Sequence, residues 1–156
     1  MFLIMLAGPP GSGKSTHAAA ILADPTFKNA GLLSTDHYIE LAARISDRPY
    51  NEIFAGQIKS ATQFLKRDIE LMLRSRRSVV WDQTNLTPET RIKKANRFPD
   101  DYTKICLYFE ADIDTLRGRN AARGDRAVPE GVLEDMVSKW QHPSLTEGFD
   151  HVAPVR

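Results

Sequence analysis

An apolar run, "MFLIMLA", leads without a break into "GPPGSGKST", Gly8 to Thr16, and a helical pattern follows. No other stretch constrains the fold as much. The spacing fits G-x-x-x-x-G-K-[ST], with a strand before it and a helix after it, the setting in which a loop wraps its backbone N–H groups around phosphate. Glycines at 8, 11 and 13 permit turns that a side chain would obstruct. The helix that starts at the loop directs its positive end at the same anion. In this arrangement Gly11, Ser12, Gly13 and Thr16 belong to the cradle, Lys14 reaches the outer phosphates, and the Ser15 hydroxyl ligates Mg²⁺. The expected ligand is a nucleoside triphosphate.

Short apolar runs alternate with helical patterns along the rest of the chain. Strands are expected at Phe2 to Ala7, Gly31 to Thr35, Ser78 to Asp82, Thr103 to Glu110 and His151 to Val155. Helices are expected at about 14–24, 37–46, 52–76, 87–97, 112–123 and 129–141, with Pro88 and Pro129 suited to first turns. The longest is marked by Ile58, Ala61, Leu65, Ile69 and Met72 on one face. Such alternation predicts an α/β fold, a parallel sheet covered by helices on both faces. The 156 residues suffice for one domain with one core.

Parallel sheets bind ligands at the carboxyl ends of their strands, and three strand ends here carry polar chemistry. The first is the phosphate loop. The second is Asp36, in "LLSTDHYIE": a carboxylate beside a nucleotide orients an attacking alcohol and accepts its proton, or else caps the following helix. The third is "VVWDQTN". There Asp82 could hold the metal through water, and Thr84 and Asn85 offer neutral hydrogen bonds to acceptor or phosphate. The competing reading is a strand-to-helix turn capped by Thr87. In "LRGRNAARGDRAVP", Arg119 and Arg123 stand four apart on one helix face, with Gly124 as the helix stop. Arginines on a mobile lid stabilise transferring phosphoryl groups; the alternative is a solvated basic helix. Arg91, Lys93, Lys94 and Arg97 read as a solvated face.

Composition excludes little. A net charge of +1 neither favours nor opposes a polyanionic partner, so a basic patch must be local. The single cysteine, Cys106, forms no internal disulfide and reads as a buried thiol. No leader or membrane-spanning run stands out, and a cytoplasmic protein with no membrane partner is expected. The four histidines show no metal-ligand spacing.

Taken together, "GPPGSGKST", "STDHY", "DQTNLTPETR", "RNAARGDRAVP" and "HPSLTEGFDHV" resemble the 5′-kinase module of polynucleotide kinases, over nearly the whole chain. The resemblance implies a P-loop NTPase three-layer sandwich with five parallel strands in the order 2-3-1-4-5 and an arginine-bearing lid. It also implies transfer of the ATP γ-phosphate, with Mg²⁺, to the 5′-hydroxyl of a DNA or RNA end. By position, Asp36 corresponds to the general base, Lys14 and Ser15 to the phosphate-loop pair, Arg123 to the catalytic lid arginine, and Arg119 to its companion near the nucleotide.

Two departures fall on the acceptor side and the metal shell. Where the phage-type enzyme has an arginine that contacts the acceptor phosphate, this chain has Ile39, and Arg44 or Arg48 would have to substitute from a later turn. Where that enzyme has aspartate directly before T-N, this chain has Gln83, with its acid one position earlier at Asp82. The D-x-D-x-T motif of a companion phosphatase is absent. Two other readings stand beside this one: a kinase of a small-molecule alcohol, and a nucleotide-binding regulator without an acceptor.

Overall fold

Leu3 to Ala7 lie buried along the whole of β1 (Phe2–Ala7), so this strand can only be interior to a sheet covered on both faces. A computed structural model, describing residues 1–155, places it at the centre. β1 pairs in parallel with β3 (Val79–Asp82) on one side and β4 (Thr103–Phe109) on the other. β2 (Gly31–Leu33) pairs outside β3, and β5 (His151–Val155) outside β4. The order is therefore β2-β3-β1-β4-β5, all parallel, as the resemblance implied. All five carboxyl ends open onto one rim.

The two-residue period of β1 divides the core into layers. Leu3, Met5 and Ala7 pack with Leu65 and Ile69 of α3 (Tyr50–Arg74), Ala95 of α4 (Pro88–Ala95), Phe98 and Tyr102. Ile4 and Leu6 face the other way, onto Ala18 of α1 (Lys14–Ala23), Val80 and Phe109. Each large apolar side chain buried this way contributes about 1.5–3 kcal/mol. A third cluster, Ile39, Ala61 and Ile53, joins α2 (Thr35–Ser46) to α3 as a hairpin beside the rim. Cys106 is buried in the first layer, and burial pushes its thiol up to about 12, so it is inert as expected.

Several boundaries differ from expectation. β2 stops at Leu33, because the Ser34 hydroxyl accepts from the His37 N–H and starts α2 two residues early. Thr87 caps α4 through the Thr90 N–H, with Pro88 first in the helix. α5 spans Ile113–Ala121 and ends two residues before Arg123, while α6 covers Glu130–Ser138. Pro129 is the residue before α6 and not in its first turn.

The basic face expected on α4 is not uniformly solvated. Arg91 is wholly buried, and its guanidinium donates to both oxygens of Glu147 (2.6 and 2.8 Å) and to the Asn85 carbonyl (2.9 Å). Glu147 in turn accepts from the Ser144 N–H, anchoring the segment before β5. Removing one partner leaves the other as an uncompensated buried charge. Glu147→Ala is therefore expected to destabilise the fold by about 3–5 kcal/mol, and a double replacement of Arg91 and Glu147 by apolar residues to recover much of that loss. Urea unfolding midpoints would check both; a Glu147→Ala loss under about 1 kcal/mol would place the pair among weak surface bridges.

Candidate active site

The phosphate loop is built by close approach as much as by turn chemistry. Gly8 has φ +152°, donates its N–H to the Thr84 carbonyl (2.8 Å), and lies where a Cβ would come 2.6 Å from the Phe109 carbonyl. Gly11, at φ +81°, sits under α5, with a Cβ position 3.2 Å from the Leu116 carbonyl. Gly13 at φ +102° hands the chain into α1, whose first turn carries Lys14 buried and Ser15 and Thr16 exposed. Lys14 Nζ donates to the Pro9 carbonyl (2.7 Å) and to Ser12 Oγ (3.3 Å). The loop is thus curled around the ammonium group that a triphosphate would engage.

Burial lowers Lys14 to about 8, opposed by the nearby Asp82 and Asp36 carboxylates and reinforced by Arg123. Bound phosphates favour the ammonium form, so nucleotide binding takes up a proton wherever free Lys14 has lost one. Below pH 8 the lysine is charged in both states and affinity is insensitive to this group. Above it, the ATP dissociation constant is expected to rise by roughly tenfold per pH unit, until the lysine titrates in the complex too. Calorimetric titration from pH 6.5 to 9.5 would show that bend, and Lys14→Met would remove it along with most of the affinity.

Asp82 closes β3 beside this lysine. The neighbouring Ser15 hydroxyl and the Lys14 ammonium favour its charged form, but burial is the larger effect and raises it above the usual carboxylate range. A hydroxyl and a carboxylate side by side at a phosphate loop form a half-set of hard oxygen donors. They suit Mg²⁺, which takes few protein ligands and completes its shell with water and phosphate. Among the described residues no group of three His, Cys, Asp or Glu could hold a metal alone.

Asp36 stands in the first turn of α2, exposed, on the same rim. Ser34 has taken the capping role, so the carboxylate is not needed for that purpose. The Tyr50 hydroxyl donates to Asp36 Oδ1 (3.1 Å), and burial together with the Asp36 charge raises the phenol. Tyr50, fourteen positions away, carries no sequence signal that could have placed it here.

The lid lies above. Arg119 Nη1 reaches the Gly11 carbonyl (3.4 Å), next to the nucleotide cradle. Arg123 falls outside α5, in the turn that precedes a short 3-10 segment at Gly124–Arg126, so the two arginines do not share a helix face as expected. Its charge acts on Lys14, Asp82 and Tyr50, although its guanidinium makes no hydrogen bond or ion pair with any described residue. The lid backbone is tied down around it. Asn120 exchanges two hydrogen bonds with Val128, Asp125 accepts from the Tyr50 N–H (2.7 Å), and Arg126 pairs with Glu40 (2.8 Å). Arg117 is held by Glu130 and Glu134 of α6.

The third strand end needs one correction. Asn85 does not offer its side chain to the crevice. It is buried, in a left-handed conformation (φ +47°) that turns its amide inward to donate to the Leu6 and Gln83 carbonyls, while Oδ1 accepts from Lys94. Thr84 remains partly exposed at the rim. Gln83 Nε2 donates to Thr35 Oγ1 (3.0 Å), which joins β3 to the start of α2. Ile39 is wholly buried in the α2–α3 hairpin, and Arg48 pairs on the surface with Glu52. A hollow of about 460 Å³ bounded by Met1, Phe27 and Arg77 lies at the opposite end of the sheet, away from these groups. No helix among the described residues is long and apolar enough to cross a membrane.

Comparison with known proteins agrees with this geometry. A cytidylate kinase of Haloquadratum walsbyi is 28% identical over 126 residues, 81% of this chain but only 60% of that protein. The chain thus spans about three fifths of that relative's length. Among solved structures, a Chloroflexus aurantiacus protein provisionally assigned as a kinase superposes with a TM-score of 0.70 at 24% identity, over 99% of this chain and 84% of the other. A gluconokinase from Sinorhizobium meliloti gives 0.60 at 18% identity, over 99% and 81%. A chain of the Pnkp1/Rnl/Hen1 RNA repair complex gives 0.66 at 22% identity, over 95% and 46%. These likenesses show a shared fold, the phosphate-loop α/β sandwich with its five parallel strands. The model of an AAA domain family, AAA_33, matches residues 3–143, and the chain belongs to that family.

Proposed function

We propose that this protein is an ATP-dependent polynucleotide kinase that transfers the γ-phosphate to the 5′-hydroxyl of a DNA or RNA end. The observation that carries the reading is the Asp36 carboxylate, released from capping and facing the same rim as Lys14, Ser15 and Asp82 beneath Arg123. A hydroxyl acceptor needs a base there, whereas hydrolysis by water or transfer to an already ionised phosphate does not specially need one. The loop and Lys14 hold the β- and γ-phosphates, with Arg119 alongside. Ser15 and Asp82 would hold Mg²⁺, which would neutralise phosphate charge. Asp36, itself held by Tyr50, orients the acceptor hydroxyl and receives its proton as the new P–O bond forms and the γ-phosphorus bond to the β-phosphate oxygen breaks, releasing ADP. Arg123 stabilises the charge on the transferring group. The lid segments that resemble polynucleotide kinases support the polymeric acceptor.

Ile39 favours a second reading. With no arginine at that position to meet an acceptor phosphate, a kinase of an uncharged small alcohol fits the same machinery. Labelled transfer from Mg·ATP to matched DNA and RNA oligonucleotides separates the two. Label confined to 5′-hydroxyl ends, absent from 5′-phosphorylated controls and weakened by salt, is the expected result. No label on either polymer, with ATP still bound, would overturn the polynucleotide assignment.

A further inference from the structure

A second concavity adjoins the transfer site, and neither the phosphate loop, Asp36 nor the lid arginines use it. It encloses about 300 Å³ between the turn Gln83 to Thr87, the outer face of α4 at Thr90 and Lys94, and Lys139 just past α6. Hydroxyls and two lysines line it and no carboxylate does, although Lys139 at its edge is paired with Asp135 (2.6 Å), which leaves Lys94 as the uncompensated cation. Lys94 is the telling residue. Half-buried, it donates to Gln83 Oε1 (2.7 Å) and to Asn85 Oδ1, and its ammonium lies 5.0 Å from the centre of the Trp81 ring. Every one of these partners is neutral, and Lys94 forms no ion pair with any described residue. A full charge held without a counterion in a polar hollow costs stability that a neutral donor would not. Desolvation lowers Lys94 to about 8, and a bound anion would relieve this.

The hollow is also in register with the chemistry. Gln83, which fixes Lys94, is bonded to Thr35 beside Asp36, and the Thr84 carbonyl is bonded to Gly8 at the start of the phosphate loop. We propose that this hollow is an anion subsite that receives a phosphate group of the acceptor, with Lys94 as its fixed cation and Lys139 at its mouth. The inference rests on the acceptor reading above and supplies the phosphate contact that Ile39 cannot make. Lysine acts here as a point charge, with the threonine hydroxyls giving direction.

The test uses the full chain with its nucleotide site filled by saturating Mg·ADP. Adenosine 3′-monophosphate, unphosphorylated adenosine and inorganic phosphate are titrated by calorimetry, and oligonucleotide transfer is assayed in parallel. The expected result is that the phosphorylated nucleoside binds at least about tenfold more tightly than adenosine, as one charge-assisted contact can provide. Lys94→Met should abolish that preference and the binding of phosphate, while Lys94→Arg keeps part of it. ADP affinity serves as the control for folding. Should Lys94→Met fold poorly, Lys139→Glu on the surface is the second variant, expected to weaken phosphate binding severalfold. Equal binding of both nucleosides to the unaltered chain, or an undiminished preference in a folded Lys94→Met, overturns the subsite. Loss of phosphate binding in Lys94→Met, together with no transfer to any oligonucleotide by the unaltered protein, upholds the subsite and removes the polynucleotide reading. Normal transfer with unchanged KM in Lys94→Met does the reverse.

Discussion

Asp36→Asn is expected to lower phosphoryl transfer by about 10²–10⁴-fold, the range a positioned general base contributes. Nucleotide affinity should change little, since Asp36 is not part of the cradle around Lys14. The substitution isolates charge and basicity from shape. Ser34 caps α2, so the helix start does not depend on the carboxylate. An asparagine oxygen can still accept from the Tyr50 hydroxyl, which keeps the side chain in place. What disappears is the group able to take the acceptor's proton. Single-turnover transfer with saturating acceptor, beside ATP titration by calorimetry, reads both quantities. A transfer rate within about threefold of the unaltered protein would mean that no base acts here, and would favour a nucleotide-binding regulator.

How much of this was legible in the sequence depends on how far apart the interacting residues lie. The phosphate loop was readable in full because its strand, glycines, lysine and helix are contiguous. The parallel sheet followed from the alternation of elements, and its strand order from the resemblance. Asp36 could be placed at a strand end, but whether it caps α2 turned on Ser34, two residues away, which offers an equally good capping oxygen and takes that role. The α5 boundary was misplaced because Ala122 and Arg123, just past its end, both favour helix by propensity alone. The structure ends it earlier, where Asn120 turns its amide onto the Val128 backbone, a local bond that competes with helix continuation. Asn85 was aimed at the crevice on the strength of its neighbours. A left-handed backbone at that position reverses it toward Leu6, and no pattern of residue types announces such a φ. The contacts of Tyr50 with Asp36, and of Arg91 with Glu147 fifty-six residues on, are long-range pairings that periodicity does not encode.

Arg123→Ala carries the second large effect, a loss of transfer on the order of 10³-fold or more, as for other arginines that meet phosphoryl charge in the transition state. The fold should be indifferent to it. The Arg123 guanidinium holds no hydrogen bond or ion pair with the described residues, and the lid is secured by its neighbours instead: Asn120 to Val128, Asp125 to the Tyr50 backbone, Arg126 to Glu40. A cation held within reach of Lys14 without an acid of its own raises local positive potential, which is useful only when phosphate charge arrives. The thermal midpoint should therefore stay within about 2 °C of the unaltered protein, or rise slightly once the repulsion with Lys14 is removed. Arg123→Lys should recover little of the rate, because a shorter-reaching point charge does not reproduce the planar fork of donors. Single-turnover rates and calorimetric melting of the two variants together decide the matter. A loss below about tenfold with an unchanged midpoint would move the charge-stabilising role to Arg119, whose guanidinium already touches the loop at Gly11. A large loss in both rate and midpoint would instead make Arg123 a strut of the lid.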